Sequence, residues 1–244
     1  MDPKKLEQLQ KIINEGKRIA FFTGAGVSTD SGIPDFRSQD GLYNQQYDYP
    51  PETIISRSFF DANPEEFYRF YRDRMLILDA EPNETHKLMA KLEEKGTCLG
   101  VVTQNIDGLH TAAGSKHVDE LHGSILRNYC MDCGAFHDAM YIKNSTGIPR
   151  CRKCGGIVKP DVVLYEESLD SSVMSSAIRK IAAADVLIVL GTSLVVYPAA
   201  GMIRYFQGDH LVLINRTATP YDENADLLIQ ASFREVFPAI SIED

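Results

Sequence analysis

The chain has 244 residues, of which 44% are hydrophobic and 24% charged, enough to bury a sizeable core as one large domain or as a domain with a smaller insertion. Its formal net charge of −9 argues against nucleic acid as the main partner, because phosphate contacts need an excess of Lys and Arg, and suits a basic peptide better. The sequence has neither an apolar run of membrane-spanning length nor a signal-peptide pattern, so we expect a cytoplasmic protein without a membrane partner.

Short apolar runs alternate with longer amphipathic stretches along the chain. This alternation is typical of an α/β protein with a doubly wound parallel sheet, whose strands are covered by helices on both faces. The predicted strands are 18–23, 98–103, 162–165, 186–190, 211–215 and 227–229. The predicted helices are 4–15, 64–78, 85–95, 171–183, 197–206 and 233–239. Two segments, beginning near residues 38 and 125, interrupt the alternation and predict excursions from the sheet.

A glycine-rich turn, TGAGVSTDSGIPDFR at 23–37, follows the first predicted strand. Gly24 and Gly26 let a phosphate approach the backbone, and a helix starting after them would direct free N–H groups at a pyrophosphate. Thr29 replaces the third glycine of the dehydrogenase fingerprint, and no acidic residue ends a second strand about 20 residues later. Three residues place a charge, an aromatic lid and a bidentate donor beside the phosphates: Asp35, Phe36 and Arg37. The alternative interpretation is an ordinary surface turn with a salt bridge.

Four of the five cysteines form two Cys-x-x-Cys pairs with 17 residues between them. They are Cys130, Cys133, Cys151 and Cys154. This spacing predicts a zinc ribbon in a reducing compartment rather than a disulfide framework. Four sulfur ligands fill the coordination shell of zinc, so the ion would be structural and not catalytic. The alternative to a metal site is four free thiols. If zinc is bound, His137 is a possible substitute ligand. Cys98 is expected to be a core residue.

Polar residues also follow other predicted strands, and ligands of parallel sheets bind at the carboxyl ends of the strands. TQNIDGLH at 103–110 brings two amides and a carboxylate together, and His122 directly precedes a glycine. GTSLVVYP at 191–198 offers hydroxyls and free amides for phosphate, and Asn215 ends a strand with an amide that suits a ribose. The alternatives are a helix-capping turn for 103–110 and a structural histidine at position 122.

In order and spacing, these motifs resemble the sirtuin family of NAD-dependent protein-lysine deacylases, from about residue 5 to residue 237. The resemblance rests on GAGVSTDSGIPDFR, TQNIDGLH, the His-Gly pair at 122–123, both cysteine pairs, GTSLVVYP and the Ile-Asn pair at 214–215. It implies a Rossmann-type NAD-binding domain made of residues 1–37, 82–124 and 160–244. It also implies a small domain made of a helical module at 38–81 and a zinc ribbon at 125–159. The cleft between them would hold NAD and an acyl-lysine peptide.

The resemblance further implies the roles of individual residues. NAD-binding positions would be Gly24, Ala25, Gly26, Ser28, Thr29, Asp35, Phe36, Arg37, Gln104, Asn105, Ile106, Asp107, His122, Gly191, Thr192, Ser193, Asn215 and Ser232. His122 would act as general base on a ribose hydroxyl, and Asn105 and Asp107, in the nicotinamide pocket, are also assigned to catalysis. Phe36 would cover that pocket and exclude water. The implied products are nicotinamide, free lysine and an acyl-ADP-ribose ester, with NAD as co-substrate and one structural zinc.

Two departures from the family pattern concern the substrate. Many members read Phe-Gly-Glu where this chain reads Tyr-Glu-Glu at 165–167, in the segment that would pair with the substrate strand, and Glu166 would favour basic flanking residues. Members that remove succinyl or malonyl groups carry a Tyr-x-x-Arg pair, whereas the matching positions 68–71 read Tyr-Arg-Phe-Tyr here, followed by Arg72. Without a bidentate arginine an acidic acyl group is disfavoured, so we predict an acetyl-lysine peptide or protein as substrate.

Two other functions remain open on the sequence alone. A mono-ADP-ribosyltransferase would use the same NAD site, and a zinc-ribbon module would hold NAD as a sensor without turnover. His122 separates these functions only in part, because a sensor has no need of a base at that position.

Overall fold

The computed structural model describes residues 2–36, 41 and 48–242. The strands are β1 (Ile19–Thr23), β2 (Cys98–Thr103), β3 (Val118–Glu120), β4 (Gly123–Cys130), β5 (Phe136–Asp138), β6 (Val158–Val162), β7 (Val186–Leu190), β8 (His210–Asn215) and β9 (Leu227–Gln230). The α-helices are α1 (Pro3–Glu15), α2 (Pro51–Ile54), α3 (Arg57–Ala62), α4 (Pro64–Phe70), α5 (Glu84–Glu94), α6 (Leu109–Ala112), α7 (Ala139–Lys143), α8 (Ser171–Ala183) and α9 (Phe233–Val236).

Six strands form a parallel sheet in the order β3-β2-β1-β7-β8-β9. β1 and β7 are buried along their whole length, because helices cover both faces of the sheet. Alternate side chains enter two different cores: Phe21 packs with residues of α1, α5 and α9, and Phe22 packs with residues of α8. The predicted doubly wound α/β fold is confirmed.

The remaining strands form an antiparallel sheet in the order β5-β4-β6. Its apolar residues share a third core with the helices α3 and α4, where Phe60 and Phe67 pack in a cluster that also contains Ile142 and Val158. The two excursions from the parallel sheet therefore stabilise each other by common burial. The domain boundaries given above stay a prediction. Among the described residues, no helix has both the length and the apolarity to span a bilayer.

Several predicted elements are wrong in detail. The segment 162–165 is not a strand of the parallel sheet: β6 ends at Val162 in the antiparallel sheet, and Glu166, with a φ of 74°, turns the chain away. The predicted helix 64–78 ends at Phe70 and continues as a π-helical turn, Tyr71–Met75. The segments after β1 and after 197 form 3-10 helices, Ala25–Ser31 and Ala199–Tyr205. β3, β4 and β5 were not predicted.

Candidate active site

The carboxyl ends of β1, β2, β7 and β8 open into a cleft of about 470 Å³. β1 lies between β2 and β7, where the strand order reverses, which is the position where ligands bind in open parallel sheets. The predicted site residues that line this cleft are Gly24, Ala25, Gly26, Ser28, Thr29, Asp35, Phe36, Gln104, Asn105, Ile106, Asp107, His122, Gly191, Thr192, Ser193 and Asn215. Arg37 lies outside the described residues. Ser232 is not part of the lining, although the adjacent Phe233 is.

The glycine-rich turn lies directly against the end of β7. The Gly26 amide donates to the Gly191 carbonyl at 2.9 Å, so two loops far apart in sequence touch backbone to backbone. A Cβ on Gly191 would lie 2.5 Å from the Val27 nitrogen, and its φ of 61° is unfavourable for other residues. A Cβ on Gly24 would lie 2.7 Å from the Gly191 oxygen. Glycine is therefore needed at both positions, and the two loops form a backbone cradle on the cleft wall that a pyrophosphate can approach closely.

Ser28 is the centre of a buried polar cluster behind the turn. Its hydroxyl donates to Asp107 Oδ2 at 2.6 Å and accepts from the Asn105 amide at 3.1 Å. The second oxygen of Asp107 accepts from the Leu109 amide at 2.9 Å. Burial raises the pKa of Asp107, and the two hydrogen bonds oppose that shift. These partners hold an amide and a carboxylate at fixed positions on the cleft wall.

A second network joins three strand ends. The Gln104 amide donates to Thr192 Oγ1 at 2.9 Å, and the Thr192 backbone amide donates to Asn215 Oδ1 at 3.0 Å. The Asn215 side-chain nitrogen is buried without a hydrogen-bond partner. An orphaned donor in the cleft is costly unless a ligand satisfies it, so this site fits a group rich in acceptors, such as the ribose and phosphates of NAD.

His122 lies in the cleft with its ring oriented by the backbone. Its Nδ1 is 2.9 Å from the Gln104 carbonyl oxygen. Because a carbonyl accepts only, we assign the proton to Nδ1, which leaves Nε2 as the basic nitrogen. Burial lowers the pKa of His122, and the hydrogen bond to Gln104 opposes the shift. At neutral pH the ring is therefore neutral and able to accept a proton.

A layer of residues beneath the cleft was missed by the sequence analysis. Thr103 Oγ1 accepts from the backbone amide of Asn105 at 3.0 Å and from Thr23 Oγ1 at 2.8 Å. His110 Nε2 lies 2.9 Å from Thr23 Oγ1, and its ring centroid is 4.8 Å from that of His86. Both histidines are buried, and Thr103, held by Thr23, orients the Asn105 backbone from behind. Thr23, Thr103 and His110 lay within the motifs at 23–37 and 103–110 but were given no role, and His86 lay in neither motif.

The four paired cysteines meet as predicted, with their Sγ atoms all within 4.8 Å of one another. The Cys133 amide lowers the pKa of the Cys130 thiol to about 7, and the Lys153 amide donates to Cys151 Sγ at 3.3 Å. Four thiolates at this separation fit one structural zinc ion. His137 is not a member of the cluster; it packs on Tyr141 with 4.6 Å between ring centroids.

The residues compared above with the Tyr-x-x-Arg pair, positions 68–71, lie away from the cleft. Tyr68 and Tyr71 are completely buried in the small core, and neither lines the cleft. Arg72 donates to the Gly147 carbonyl at 2.6 Å, on the zinc-ribbon side. The π-helical turn directs a different arginine, Arg74, to the cleft lining. Positions 71–74 also read Tyr-x-x-Arg, and the arginine of this second match is the one that lines the cleft.

A family model described as "Sir2 family" matches residues 24–198, which include the glycine-rich turn, His122 and all four paired cysteines. This chain belongs to the Sir2 family. Within that family, it is 57% identical over 239 residues to an NAD-dependent protein deacetylase of Clostridium acetobutylicum, covering 97% of this chain and 98% of the relative. It is 56% identical to the enzyme of the same name from Clostridium perfringens, covering 95% and 96%.

Solved Sir2 structures also superpose on the fold. One, described as Sir2 with a p53 peptide and NAD+, is 40% identical with a TM-score of 0.84, covering 96% of this chain and 95% of that one. Another is a histidine-to-alanine Sir2 variant with a deacetylated p53 peptide and 3′-O-acetyl-ADP-ribose, 39% identical with a TM-score of 0.88 and 96% coverage of both chains. The sirtuin resemblance is confirmed, and with it the dependence on NAD.

Proposed function

We propose that this Sir2 chain is an NAD-dependent protein-lysine deacetylase that releases nicotinamide and O-acetyl-ADP-ribose. The observation that carries the proposal is His122, whose Nε2 is left free as a base in the same cleft as the Gly24 and Gly191 cradle. The relatives named above are deacetylases, and the solved Sir2 structures contain a p53 peptide with NAD+ or acetyl-ADP-ribose.

The two polar networks divide the cleft between binding and chemistry. Gly24, Gly191 and the orphaned amide of Asn215 would hold the phosphates and the adenine ribose. Asn105 and Asp107, fixed by Ser28, would orient the nicotinamide end. When bound, NAD supplies an electrophilic ribose carbon with a cationic leaving group, and an ADP-ribose to receive the acetyl group.

The chain's own contribution to the chemistry is proton transfer and shielding. His122 Nε2 would accept a proton from a ribose hydroxyl, and the Gln104 carbonyl would stabilise the resulting imidazolium through Nδ1. Phe36, which lines the cleft and packs against the small core, would keep water from the reacting carbon. The cytoplasmic location expected from the sequence stays a prediction.

One assay separates this function from its alternatives. The protein is incubated with NAD and an acetyl-lysine peptide, and the peptide is weighed by mass spectrometry. We expect loss of the acetyl group. A gain of ADP-ribose would indicate a transferase, and an unchanged peptide with retained NAD binding would indicate a sensor. Either of these results would overturn the proposal.

The His122→Ala variant is the matched control. Its deacetylation should fall by about 100-fold or more, since general-base catalysis contributes about that factor. NAD binding measured by calorimetry should persist, because Gly24, Gly191 and Asn215, which would hold the phosphates and the adenine ribose, are unchanged. Near-normal turnover in this variant would remove histidine from the mechanism.

A further inference from the structure

One wall of the cleft is formed by residues 163–167. These residues follow β6 in the chain and lie beside the start of α3 in space. The Tyr165 amide donates to the Ile55 carbonyl at 3.0 Å, and the Arg57 amide donates to the Tyr165 carbonyl at 3.0 Å. Tyr165 and Ser56 thereby form an isolated parallel bridge. This wall is attached to the helical module, and the Val163 amide also joins it to the His122 carbonyl at 3.0 Å.

Glu166 adds a side-chain contact to that attachment. The Ser58 amide donates to Glu166 Oε2 at 2.8 Å, and the Ser58 hydroxyl donates to Oε1 at 2.9 Å. Ser58 is in the first turn of α3, where backbone N–H groups have no partner within the helix and favour a negative charge. The carboxylate of one segment therefore caps the helix of another.

The backbone at Glu166 makes this contact unusual. Its φ of 74° is in the left-handed region, which glycine enters far more readily than a residue with a Cβ. A glycine here would relax the backbone but would leave Ser58 without its acceptor. The chain therefore has a strained residue whose side chain makes hydrogen bonds that glycine cannot make.

Glu167 holds the same wall from the inner side. Its Oε1 accepts from the Arg57 guanidinium at 3.0 Å, and its Oε2 accepts from the Lys159 ammonium at 3.1 Å. Its side chain is only 18% exposed, so it belongs to the packing between β6 and α3. Glu166 is exposed by contrast, and its contact with Ser58 affects the position of the cleft edge more than the burial of the core.

We propose that Glu166 is a positioning residue for the acetyl-lysine peptide. By capping α3, it fixes the cleft wall at 163–165, which would contact the peptide chiefly through side chains, because all three backbone amides of this segment already donate within the protein. This inference rests on the proposed deacetylase function. The expectation that the Glu166 charge favours basic flanking residues stays a separate prediction, because the two neutral donors of Ser58 leave the carboxylate charged.

The test compares Michaelis constants for peptide and NAD in the full-length protein. Glu166→Ala removes the carboxylate and keeps a Cβ, whereas Glu166→Gly also relaxes the backbone. Both should raise the peptide KM by about threefold to tenfold, the size expected for one or two exposed hydrogen bonds to a charge. The kcat and the KM for NAD should change less than about twofold. Glu52→Ala, which removes an exposed acid on α2, is the matched control and should leave all constants unchanged.

A double-mutant cycle with Ser58→Ala tests whether Glu166 and Ser58 act through one contact. The rise in peptide KM in the double variant, Glu166→Ala with Ser58→Ala, should be clearly smaller than the product of the two single rises. Glu166→Gln, which keeps an acceptor oxygen, should recover part of the lost peptide affinity. A wild-type peptide KM in Glu166→Gly, or an equal rise in the KM for NAD, would overturn the inference. Absence of deacetylation by the unmodified protein would instead overturn the proposed function.

Discussion

His122 has one ring nitrogen committed to the Gln104 carbonyl and the other directed to chemistry. Burial disfavours the charged imidazolium and lowers the pKa, while the carbonyl partly restores it. The two effects together keep a histidine neutral near pH 7 without a carboxylate partner. This arrangement differs from a serine-protease triad, in which an aspartate orients the ring.

The lowered pKa predicts the pH dependence of turnover. A general base is active when neutral, so kcat/KM should hold as pH falls to histidine's usual value of 6.5 and decline only below it, as His122 protonates. The measurement is a pH profile of kcat/KM with an acetyl-lysine peptide, with recovery of activity at pH 7 as the control for unfolding. An acid limb centred above 6.5 would contradict the assigned environment.

The position of Arg74 leads to a prediction for the turnover of peptides with acidic acyl groups. Its side chain lines the cleft, so Arg74→Gln should lower kcat/KM for a succinyl-lysine peptide by about tenfold, a loss of about 1.4 kcal/mol. Turnover of the matching acetyl peptide should change little. Arg72→Gln is the control, since that guanidinium is bonded to Gly147 and Ser145. An unchanged succinyl-to-acetyl ratio in Arg74→Gln would place Arg74 outside the acyl pocket.

At the scale of elements, the sequence predicted the strands whose burial is uniform. β1, β7 and β8 are continuous, mostly apolar runs, which is what strands covered by helices on both faces require. β6 reads Val-Lys-Pro-Asp-Val, so proline and two charges hid a strand that pairs at a sheet edge. The π-helical turn Tyr71–Met75 also escaped, because one extra residue per turn leaves no mark on composition.

The residues of the candidate site likewise fall into predictable and unpredictable features. Backbone-determined features, such as the Gly24 and Gly191 cradle and the cysteine pairs, were predictable because few residue types satisfy them. The layer beneath Asn105 was not, because Thr23 bonds to Thr103 and His110, which are far from it in sequence and meet it only through tertiary packing. Pairing of that kind has no local signal in a single sequence.

The stability of the zinc ribbon should depend on its metal ion. Cys151→Ser should bind well below the wild-type content of about one zinc per chain, because one of four thiolates is lost. Its melting temperature should fall, since β4, β6 and the helical module share one core. The measurements are metal analysis and thermal unfolding. Cys98→Ala is the control and should keep its zinc, and a zinc-free, fully stable Cys151→Ser protein would contradict the assignment.

At the scale of the whole molecule, buried histidines connect stability to pH. Burial lowers the pKa of His86 to about 4 and that of His110 to about 3. In the unfolded chain these two histidines take up protons near pH 6.5, and in the folded chain they do not. Stability is therefore fully present above 6.5 and is lost as pH falls toward 4, by about 1.4 kcal/mol per pH unit for each histidine.

We therefore expect the free energy of unfolding to be lower at pH 5 than at pH 7 by roughly 2 to 4 kcal/mol. Urea unfolding at both pH values measures it. His86→Asn removes one of the two titrating rings, so its stability should depend less on pH in this range. An equal pH dependence in the variant would show that carboxylates, and not these histidines, cause the loss.

The order of the strands has a consequence for how the protein is made. β1 ends at Thr23, but its neighbour β7 begins at Val186, so a ribosome must add most of the chain before β1 gains that partner. Until then one apolar edge of β1 lacks its native neighbour and is open to pairing with other chains. The cofactor cradle is late as well, because Gly26 needs Gly191. A nascent chain that already carries His122 and all four zinc-binding cysteines therefore still lacks the contact that completes the cofactor cradle.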